Sequence, residues 1–321
     1  MSLPSVCPIR LHPWAFNRVL SSASCRRERA ARLCVNAESD GFAELANWAE
    51  FHGGFVHQSL TAGFSSVTGE RGVISESDLS ADDLFDAPLI IMPEKLHMSP
   101  STAVQTLDAL LKPLGLPSVQ NLSSEMQVAL LLAYEKERGQ DSMWFPYIEM
   151  LPKEPNCGYL WPYPKVEKYF STLPVKMDKL MPAYSRAQQM HARECDAKVD
   201  DAWDAFGDAL GVSKNRLTWS LCQVSSRAFV VEGTADVELK PVIDLVNHSH
   251  EALPLGVVYG DDRVTFVEAA DPLPAGSELF IDYLFDPESP PLLNFMHFGF
   301  IPEELILGAA RKGSKNRKRE K

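Results

Sequence analysis

The sequence lacks both the cysteine pattern of a zinc site and an apolar run that could cross a bilayer. Its six cysteines form no Cys-x-x-Cys pair, and none lies near a histidine at zinc-ligand spacing. We therefore expect scattered, reduced thiols and no metal cluster. The longest apolar run, Val128–Ala133, is far shorter than the roughly 20 residues of a membrane-spanning helix, so we expect no membrane span.

Excess positive charge is also lacking, since the formal net charge is −12. This charge disfavours nucleic acid as the main partner and fits a protein that recruits basic protein segments. With 321 residues, 45% of them hydrophobic, the chain can bury a sizeable core in one large or two small domains. Prolines (23) outnumber glycines (18), which suits short elements joined by turns.

Both ends of the chain differ from the middle. The first 36 residues hold six arginines, no lysine and one acid, Glu28, with serines clustered at 21, 22 and 24. This composition is typical of a transit peptide, and Val35-Asn36-Ala37 resembles a chloroplast processing site. The alternative is a disordered tail of a cytoplasmic or nuclear protein. We expect residues 1–40 to lie outside the fold. Residues 304–321 form a basic tail, either solvated or a patch for nuclear localisation or an acidic partner.

Between these ends, the pattern changes from strands to helices and back to strands, with no internal repeat. Helical spacing predicts a helix over Phe42–Phe51 and a mostly helical region over residues 99–216. Short apolar runs rich in β-branched and aromatic residues predict strands on either side of that region. These runs are Phe55, Val67, Val73-Ile74, Leu89-Ile90-Ile91, Ala228–Val231, Val242–Val246, Val257–Tyr259, Val264–Val267 and Leu279–Leu284.

Capping residues set the expected limits of the helices. Ser99 is a good N-cap with Pro100 at the first helical position. Ser124 and Gln127 have the spacing of a capping box, and Gly139 is a natural C-cap for the helix that follows. Residues 165–215 are largely helical by pattern, with Pro182 as an internal break.

The run Pro241–Val246 ends in Asn247-His248-Ser249 and contains Asp244, whose carboxylate needs partners if it is buried. Taken alone, this is a strand that ends in a polar turn. As a site, Asn247 and His248 offer donors and acceptors side by side. Asp244, His248 and His250 are also metal-ligand types, but they converge only if the strand bends sharply, so we expect no metal.

Two later segments carry aromatic side chains at regular spacing. In Gly276–Tyr283, alternation places Leu279, Ile281 and Tyr283 on one strand face, where Tyr283 is either a core tyrosine or a site residue. Leu292-Leu293 then leads to Phe298-Gly299-Phe300, whose aromatics form either a narrow apolar wall or part of the core.

Together, and in this order, these segments resemble the end of a SET domain. The matching residues are Asp-Leu-Val-Asn-His-Ser (244–249), Gly-Ser-Glu-Leu-Phe-Ile-Asp-Tyr (276–283), and Leu-Leu (292–293) followed by Phe-Gly-Phe (298–300). Ser226-Arg227-Ala228-Phe229, Glu135–Pro152 and Gly69–Val73 extend the resemblance to the Rubisco-methyltransferase branch, over about residues 42–303.

The resemblance implies an α+β fold: a SET β-fold with a pseudoknot, split by a mostly helical insertion. The SET domain would cover residues 41–303, with its β-core at 53–98 and 217–303 and the insertion at about 99–216. The implied function is a protein-lysine methyltransferase that uses S-adenosylmethionine. A non-histone substrate is implied because this chain lacks the zinc-binding cysteines that flank the usual histone-modifying domains. We expect a monomer.

The resemblance also assigns roles to individual residues. Tyr283 would be catalytic and orient the substrate amine. Phe298 and Phe300 would line an apolar channel for the lysine side chain. The remaining assignments are to the cofactor: Glu70, Arg71, Gly72, Arg227, Asp244, Asn247 and His248.

Three departures from the family leave alternatives open. His250–Pro254 replaces a Pro-Asn pair, Leu284 replaces a glycine, and the chain ends soon after Phe300, so we expect it to lack the family's C-terminal substrate-binding domain. One alternative is a histidine methyltransferase of the same fold. The other is a non-catalytic SET-derived module that binds a protein.

Overall fold

The structure, a computed structural model, contains two compact units. The β unit comprises residues 37–97 and 240–283, and the helical unit comprises residues 98–239 and 285–306. Within these limits the structure describes residues 37–65, 70–84, 88–154, 156–173, 180–231, 233–249, 255–259, 264–269, 271–283, 285–286, 288–302 and 305–306. The expected N-terminal segment 1–36, most of the basic tail, Val67, His250 and Leu284 lie outside them.

The elements follow the predicted order of strands, helices and strands. The helices are α1 (Ala37–Phe51), α2 (Ala81–Leu84), α3 (Pro100–Leu111), α4 (Ser124–Arg138), α5 (Phe145–Met150), α6 (Tyr163–Thr172), α7 (Leu180–Leu210), α8 (Lys214–Arg227) and α9 (Pro291–Phe298). The strands are β1 (Phe55–Val56), β2 (Leu60–Phe64), β3 (Arg71–Ser75), β4 (Ile90–Met92), β5 (Phe229–Val230), β6 (Val237–Glu238), β7 (Asn247–His248), β8 (Leu255–Tyr259), β9 (Thr265–Ala269) and β10 (Phe280–Ile281).

In the β unit, short strands that precede the helical region pair with short strands that follow it. A four-stranded antiparallel sheet has the order β1-β4-β9-β8, and β2 pairs antiparallel with β3. The pair β7 and β10 is parallel, with Asn247 opposite Phe280 and His248 opposite Ile281. This parallel pair brings the Asn-His segment next to the segment that ends in Tyr283.

The core of the β unit is built from apolar side chains of helix α1 and of the strands. Helix α1 buries Phe42, Leu45 and Ala49, which lie three and four positions apart on one face. Strand β3 buries Val73 and Ile74 on both of its faces. Helix α1 begins at Ala37, a few residues before the expected domain start at 41.

The prediction of a strand over Val242–Val246 is wrong. Val242 has φ 69° and ψ −49°, and the Ile243 N–H donates to the Pro241 carbonyl at 2.8 Å, which defines a strained γ-turn. A short 3-10 turn, Ile243–Leu245, follows directly. A β-branched residue at positive φ carries a penalty of about 1–3 kcal/mol, so the surrounding contacts must hold it there. A buried apolar run has the same hydropathy in a turn as in a strand, so periodicity does not separate the two.

The helical unit is built around α4, which is buried on nearly every side from Glu125 to Ala133. Its N-cap is Ser123, whose Oγ accepts from the Met126 N–H at 3.3 Å, so the predicted capping box at Ser124 is wrong by one position. Ser124 Oγ instead accepts from the Val237 N–H at 2.8 Å. The predicted Ser99 cap of α3 is confirmed.

Two further expectations for this unit need correction. Pro182 does not break a helix, because it lies in the first turn of α7, where its missing N–H has no partner to lose. Helix α8 continues to Arg227, past the expected end of the insertion at 216 and into the expected β-core segment that begins at 217. Residues Leu217 and Trp219–Val224 are buried, so packing maintains this helix to its end.

An aromatic core surrounds Phe295 of α9. Its ring stacks on Tyr169 at 5.2 Å between centroids and contacts Trp161, Phe170 and Tyr184 at 5.0–5.7 Å. Burial raises the pKa of Tyr169, whose hydroxyl oxygen accepts from the Ile301 N–H at 2.7 Å. These contacts fix the end of α9 and the chain that follows it.

Three described cysteines, Cys157, Cys195 and Cys222, are buried free thiols of the helical unit. The Cys157 thiol donates to the Cys222 carbonyl oxygen at 3.3 Å, and the Tyr159 hydroxyl lies 3.0 Å from Cys222 Sγ. Burial raises the pKa of Cys157. Among the described residues, no helix is long and apolar enough to cross a membrane.

Candidate active site

The side-chain amide of Asn247 joins three distant segments of the β unit. Its Nδ2 donates to the main-chain oxygen of Arg71 at 2.9 Å and to Oε1 of Glu278 at 2.8 Å. Asn247 begins β7, Arg71 begins β3, and Glu278 precedes β10 and is 8% exposed. The amide therefore fixes the relative positions of these three chain segments.

Gly72 lies where the three segments meet. A Cβ atom built on Gly72 would overlap the carboxylate of Glu278 and lie 2.9 Å from Nδ2 of Asn247. Its register partner in β2, Gly63, has space, because a Cβ there would meet only Ile74 Cδ1 at 3.5 Å. A Cβ atom at position 72 therefore has no room unless the side chains of Glu278 and Asn247 shift.

His248 and Tyr283 form a second contact between the Asn-His and Tyr segments. The Tyr283 N–H donates to His248 Nδ1 at 3.1 Å, and the two rings lie 5.2 Å apart. Because Nδ1 accepts this bond, the neutral imidazole carries its proton on Nε2. His248 can therefore donate a hydrogen bond through Nε2.

The Tyr283 hydroxyl donates to the main-chain oxygen of Val246 at 2.8 Å. Val246 directly precedes Asn247, so the hydroxyl lies beside the segment that carries the amide and the imidazole. With its hydrogen donated to Val246, the hydroxyl oxygen acts as an acceptor toward any other group. Tyr283 is half-buried, so the ring packs in the unit and retains some exposure.

Two other predicted residues flank this centre. Asp244 is buried in the 3-10 turn before β7, where its N–H donates to the Lys240 carbonyl at 3.0 Å. Glu70 is exposed, and its main-chain oxygen accepts from the Ser65 N–H at 2.8 Å, next to the first residue of β3. The structure therefore brings Glu70, Arg71, Gly72, Asp244, Asn247, His248 and Tyr283 together in the β unit.

The remaining predicted site residues belong to the helical unit. Arg227 ends α8 and donates from Nε to Gln223 Oε1 at 3.1 Å. Phe298 is buried at the end of α9, and Phe300 is half-buried beyond the left-handed residue Gly299 (φ 74°). Within this unit, Phe298 and Phe300 form an aromatic trio with Phe285, at centroid distances of 5.1–6.0 Å.

Comparison with models of known protein families finds no match. Human "SET domain-containing protein 4" is 27% identical to this chain over 247 residues, which cover 70% of this chain and 52% of that protein. The chain thus spans about half the length of this curated relative.

Solved structures give the decisive comparison. The SET domain of LSMT bound to lysine and AdoHcy superposes with a TM-score of 0.61 and 18% identity, over 82% of this chain and 57% of that one. Rubisco LSMT bound to AdoMet gives the same score and identity over 81% and 56%. The chain has the SET fold. The α+β class and the resemblance to the Rubisco-methyltransferase branch, both predicted from the sequence, are confirmed.

Within the SET fold, the structure adds two residues that had no predicted role. Glu278 lies in the predicted Gly-Ser-Glu-Leu segment, where a carboxylate directly before a buried strand was the available signal. Phe285 also belongs to the aromatic trio, and no pattern in the sequence around it predicts this contact. The pseudoknot threading and the roles of the individual site residues stay predictions.

Proposed function

We propose that this chain is a protein-lysine N-methyltransferase that uses S-adenosylmethionine and acts on a non-histone protein. The observation that carries the proposal is the convergence of Arg71, Gly72, Asn247, His248 and Tyr283 in the β unit of a SET fold. Solved neighbours of this fold are bound to AdoMet, and to sinefungin with monomethyllysine, which supports both the cofactor and the lysine acceptor.

The polar groups of the β unit fit the amino-acid part of S-adenosylmethionine, which carries an ammonium and a carboxylate. The backbone of Arg71 and Gly72 and the side chain of Asn247 meet where a glycine leaves room for close approach. The amide oxygen of Asn247 is an acceptor for the ammonium. When bound, S-adenosylmethionine supplies a methyl group made electrophilic by its sulfonium.

The protein must deliver a neutral amine in line with that methyl group. A lysine side chain has a pKa near 10.4, so deprotonating it at pH 7 requires roughly 4–5 kcal/mol. Apolar surroundings reduce this penalty, because desolvation disfavours the ammonium. The resemblance noted in the sequence assigns apolar surroundings of this kind to Phe298 and Phe300. We assign orientation of the amine to the hydroxyl oxygen of Tyr283.

The test is Tyr283→Phe, which removes the hydroxyl and keeps the ring. We expect turnover to fall by about 10²- to 10⁴-fold, as when a positioned polar group is lost from a reacting centre. AdoHcy affinity, measured by calorimetry, should change by less than about threefold, because the hydroxyl is not assigned to the cofactor. Turnover is measured as transfer of a radiolabelled methyl group to proteins of a lysate, with methylated peptides mapped by mass spectrometry.

Tyr134→Phe, at a half-buried position of α4, is the matched control and should remain active. Full activity of Tyr283→Phe would contradict the catalytic role. Label on histidine would replace the lysine assignment, and cofactor binding without transfer would indicate a non-catalytic module. Stronger labelling of purified histones than of other proteins would contradict the non-histone assignment.

A further inference from the structure

The Asn247 amide is held in one orientation. An asparagine side chain has two N–H donors and one acceptor oxygen, and both donors of Asn247 are occupied, by Arg71 O and Glu278 Oε1. Rotating the amide by half a turn would place its oxygen against a carbonyl and a carboxylate, which are both acceptors. The environment therefore selects the orientation shown, with Oδ1 facing away from both partners.

Oδ1 of Asn247 is the acceptor left over. Among the described residues, none donates a hydrogen bond to it, since the contacts of this side chain are the two made by Nδ2. A half-buried acceptor with a fixed direction is suited to a ligand N–H group. The nearby negative charge of Glu278 favours a cationic donor over a neutral one.

Glu278 is what makes the orientation unique. A carbonyl oxygen alone, that of Arg71, would hold one N–H and leave the other free to seek water. The buried carboxylate, 8% exposed, binds that second N–H at 2.8 Å and does so through a charged acceptor. Gly72 permits this geometry, because a side chain at that position would displace both groups.

We propose that Glu278 is a positioning residue, which fixes the Asn247 amide so that its oxygen receives the ammonium group of the cofactor's amino-acid part. This inference rests on the proposed function. Glu278 acts through Asn247, so its effect should depend on whether the ligand has an ammonium group.

The experiment compares two adenosine ligands by calorimetry. AdoHcy carries the ammonium, whereas 5′-methylthioadenosine lacks the whole amino-acid part. Glu278→Ala should weaken AdoHcy about 10- to 100-fold, the range expected when a charged hydrogen bond that orders a binding group is lost. The same variant should leave 5′-methylthioadenosine affinity within about twofold, because that ligand makes no use of the amide oxygen.

Two further variants protect this test against misfolding. Glu278→Gln keeps an acceptor oxygen in place and should restore most of the AdoHcy affinity lost in Glu278→Ala. Glu268→Ala removes an exposed carboxylate of β9 and should leave both ligands unaffected. Circular dichroism of each variant confirms that the fold is retained.

The outcomes are distinct. Selective loss of AdoHcy in Glu278→Ala, with rescue in Glu278→Gln, supports the positioning role. Equal weakening of both ligands, or of neither, overturns it and leaves the proposed function intact. If the unmodified protein binds neither ligand, the proposed function fails, and this inference fails with it.

Discussion

The two units of this chain are built on opposite principles. The β unit uses strands of two to five residues, and polar side chains tie distant segments together, as when Asn247 reaches Arg71 across 176 positions. The helical unit uses longer helices, up to 31 residues in α7, and packs them around apolar and aromatic side chains such as Phe295. Substitutions should therefore separate ligand binding, which depends on polar geometry, from stability, which depends on apolar burial.

The largest expected effect on stability is that of Phe295→Ala. The change empties the centre of the aromatic core, which should lower the free energy of unfolding by about 3–5 kcal/mol. Urea unfolding followed by circular dichroism measures this loss. Phe51→Ala, at a side chain that is 85% exposed, is the control and should change stability by less than about 0.5 kcal/mol. A small effect at Phe295 would show that the ring is not central to this unit.

Gly72→Ala tests the β unit in the same way. The added methyl group overlaps the Glu278 carboxylate and crowds the Asn247 amide, so AdoHcy should bind about 10- to 100-fold more weakly, in line with overpacking penalties of about 1–3 kcal/mol. Gly63→Ala, in the paired strand, meets only an ordinary contact with Ile74 and should bind normally. Equal affinities of the two variants would remove the argument for a crowded junction at Gly72.

The buried imidazole of His297 should make stability depend on pH. Burial, with smaller contributions from the charges of His191 and Lys198, lowers the pKa of His297 from 6.5 to about 3. The folded state keeps this imidazole neutral while the unfolded chain takes up a proton below pH 6.5, so stability is lost as pH falls from 6.5 toward about 3.

Between pH 7.5 and 5 this single group should account for about 2 kcal/mol of lost stability. His297→Gln should remove that part of the pH dependence, as seen in urea unfolding at pH 7.5 and pH 5. Burial also lowers the pKa of His191, so some pH dependence should remain. His52→Gln, in the β unit, controls for removal of a histidine as such. If the free energy of unfolding depends on pH in His297→Gln as it does in the unmodified protein, protonation of His297 does not contribute to that dependence.

The smallest effect concerns a helix end. Ser123→Ala removes the cap of α4 and should cost about 1 kcal/mol in the free energy of unfolding, measured in urea. Ser171→Ala, an exposed serine near the end of α6 that caps no N–H group, is its control. If Ser123→Ala and Ser171→Ala have the same free energy of unfolding, the Ser123 cap makes no measurable contribution to stability.

The sequence predicted the element types well where local chemistry decides them. Ser99 and Pro100 begin α3 as expected, and the short apolar runs Val73-Ile74 and Val264–Val267 became β3 and β9. It failed where tertiary packing decides, because Val242 adopts a positive φ that its residue type disfavours, and Ser123 rather than Ser124 faces the free N–H groups. Among candidate site residues, Asn247, His248 and Tyr283 were predicted from the segments that contain them, whereas the role proposed for Glu278 rests on its hydrogen bond with Asn247.

The antiparallel bridge between Met98 and Leu239 brings the two ends of the segment 99–238 side by side. Their main chains exchange two hydrogen bonds, at 3.0 and 3.1 Å, so the chain leaves and returns at neighbouring points. Closing a loop over such a junction depends only weakly on loop length, by about 0.6 kcal/mol for each doubling. Residues 99–238 could thus lengthen, shorten or be exchanged during evolution with little penalty in chain entropy. The bridge is thus a fixed pair of main-chain anchor points between which the intervening chain can vary in length.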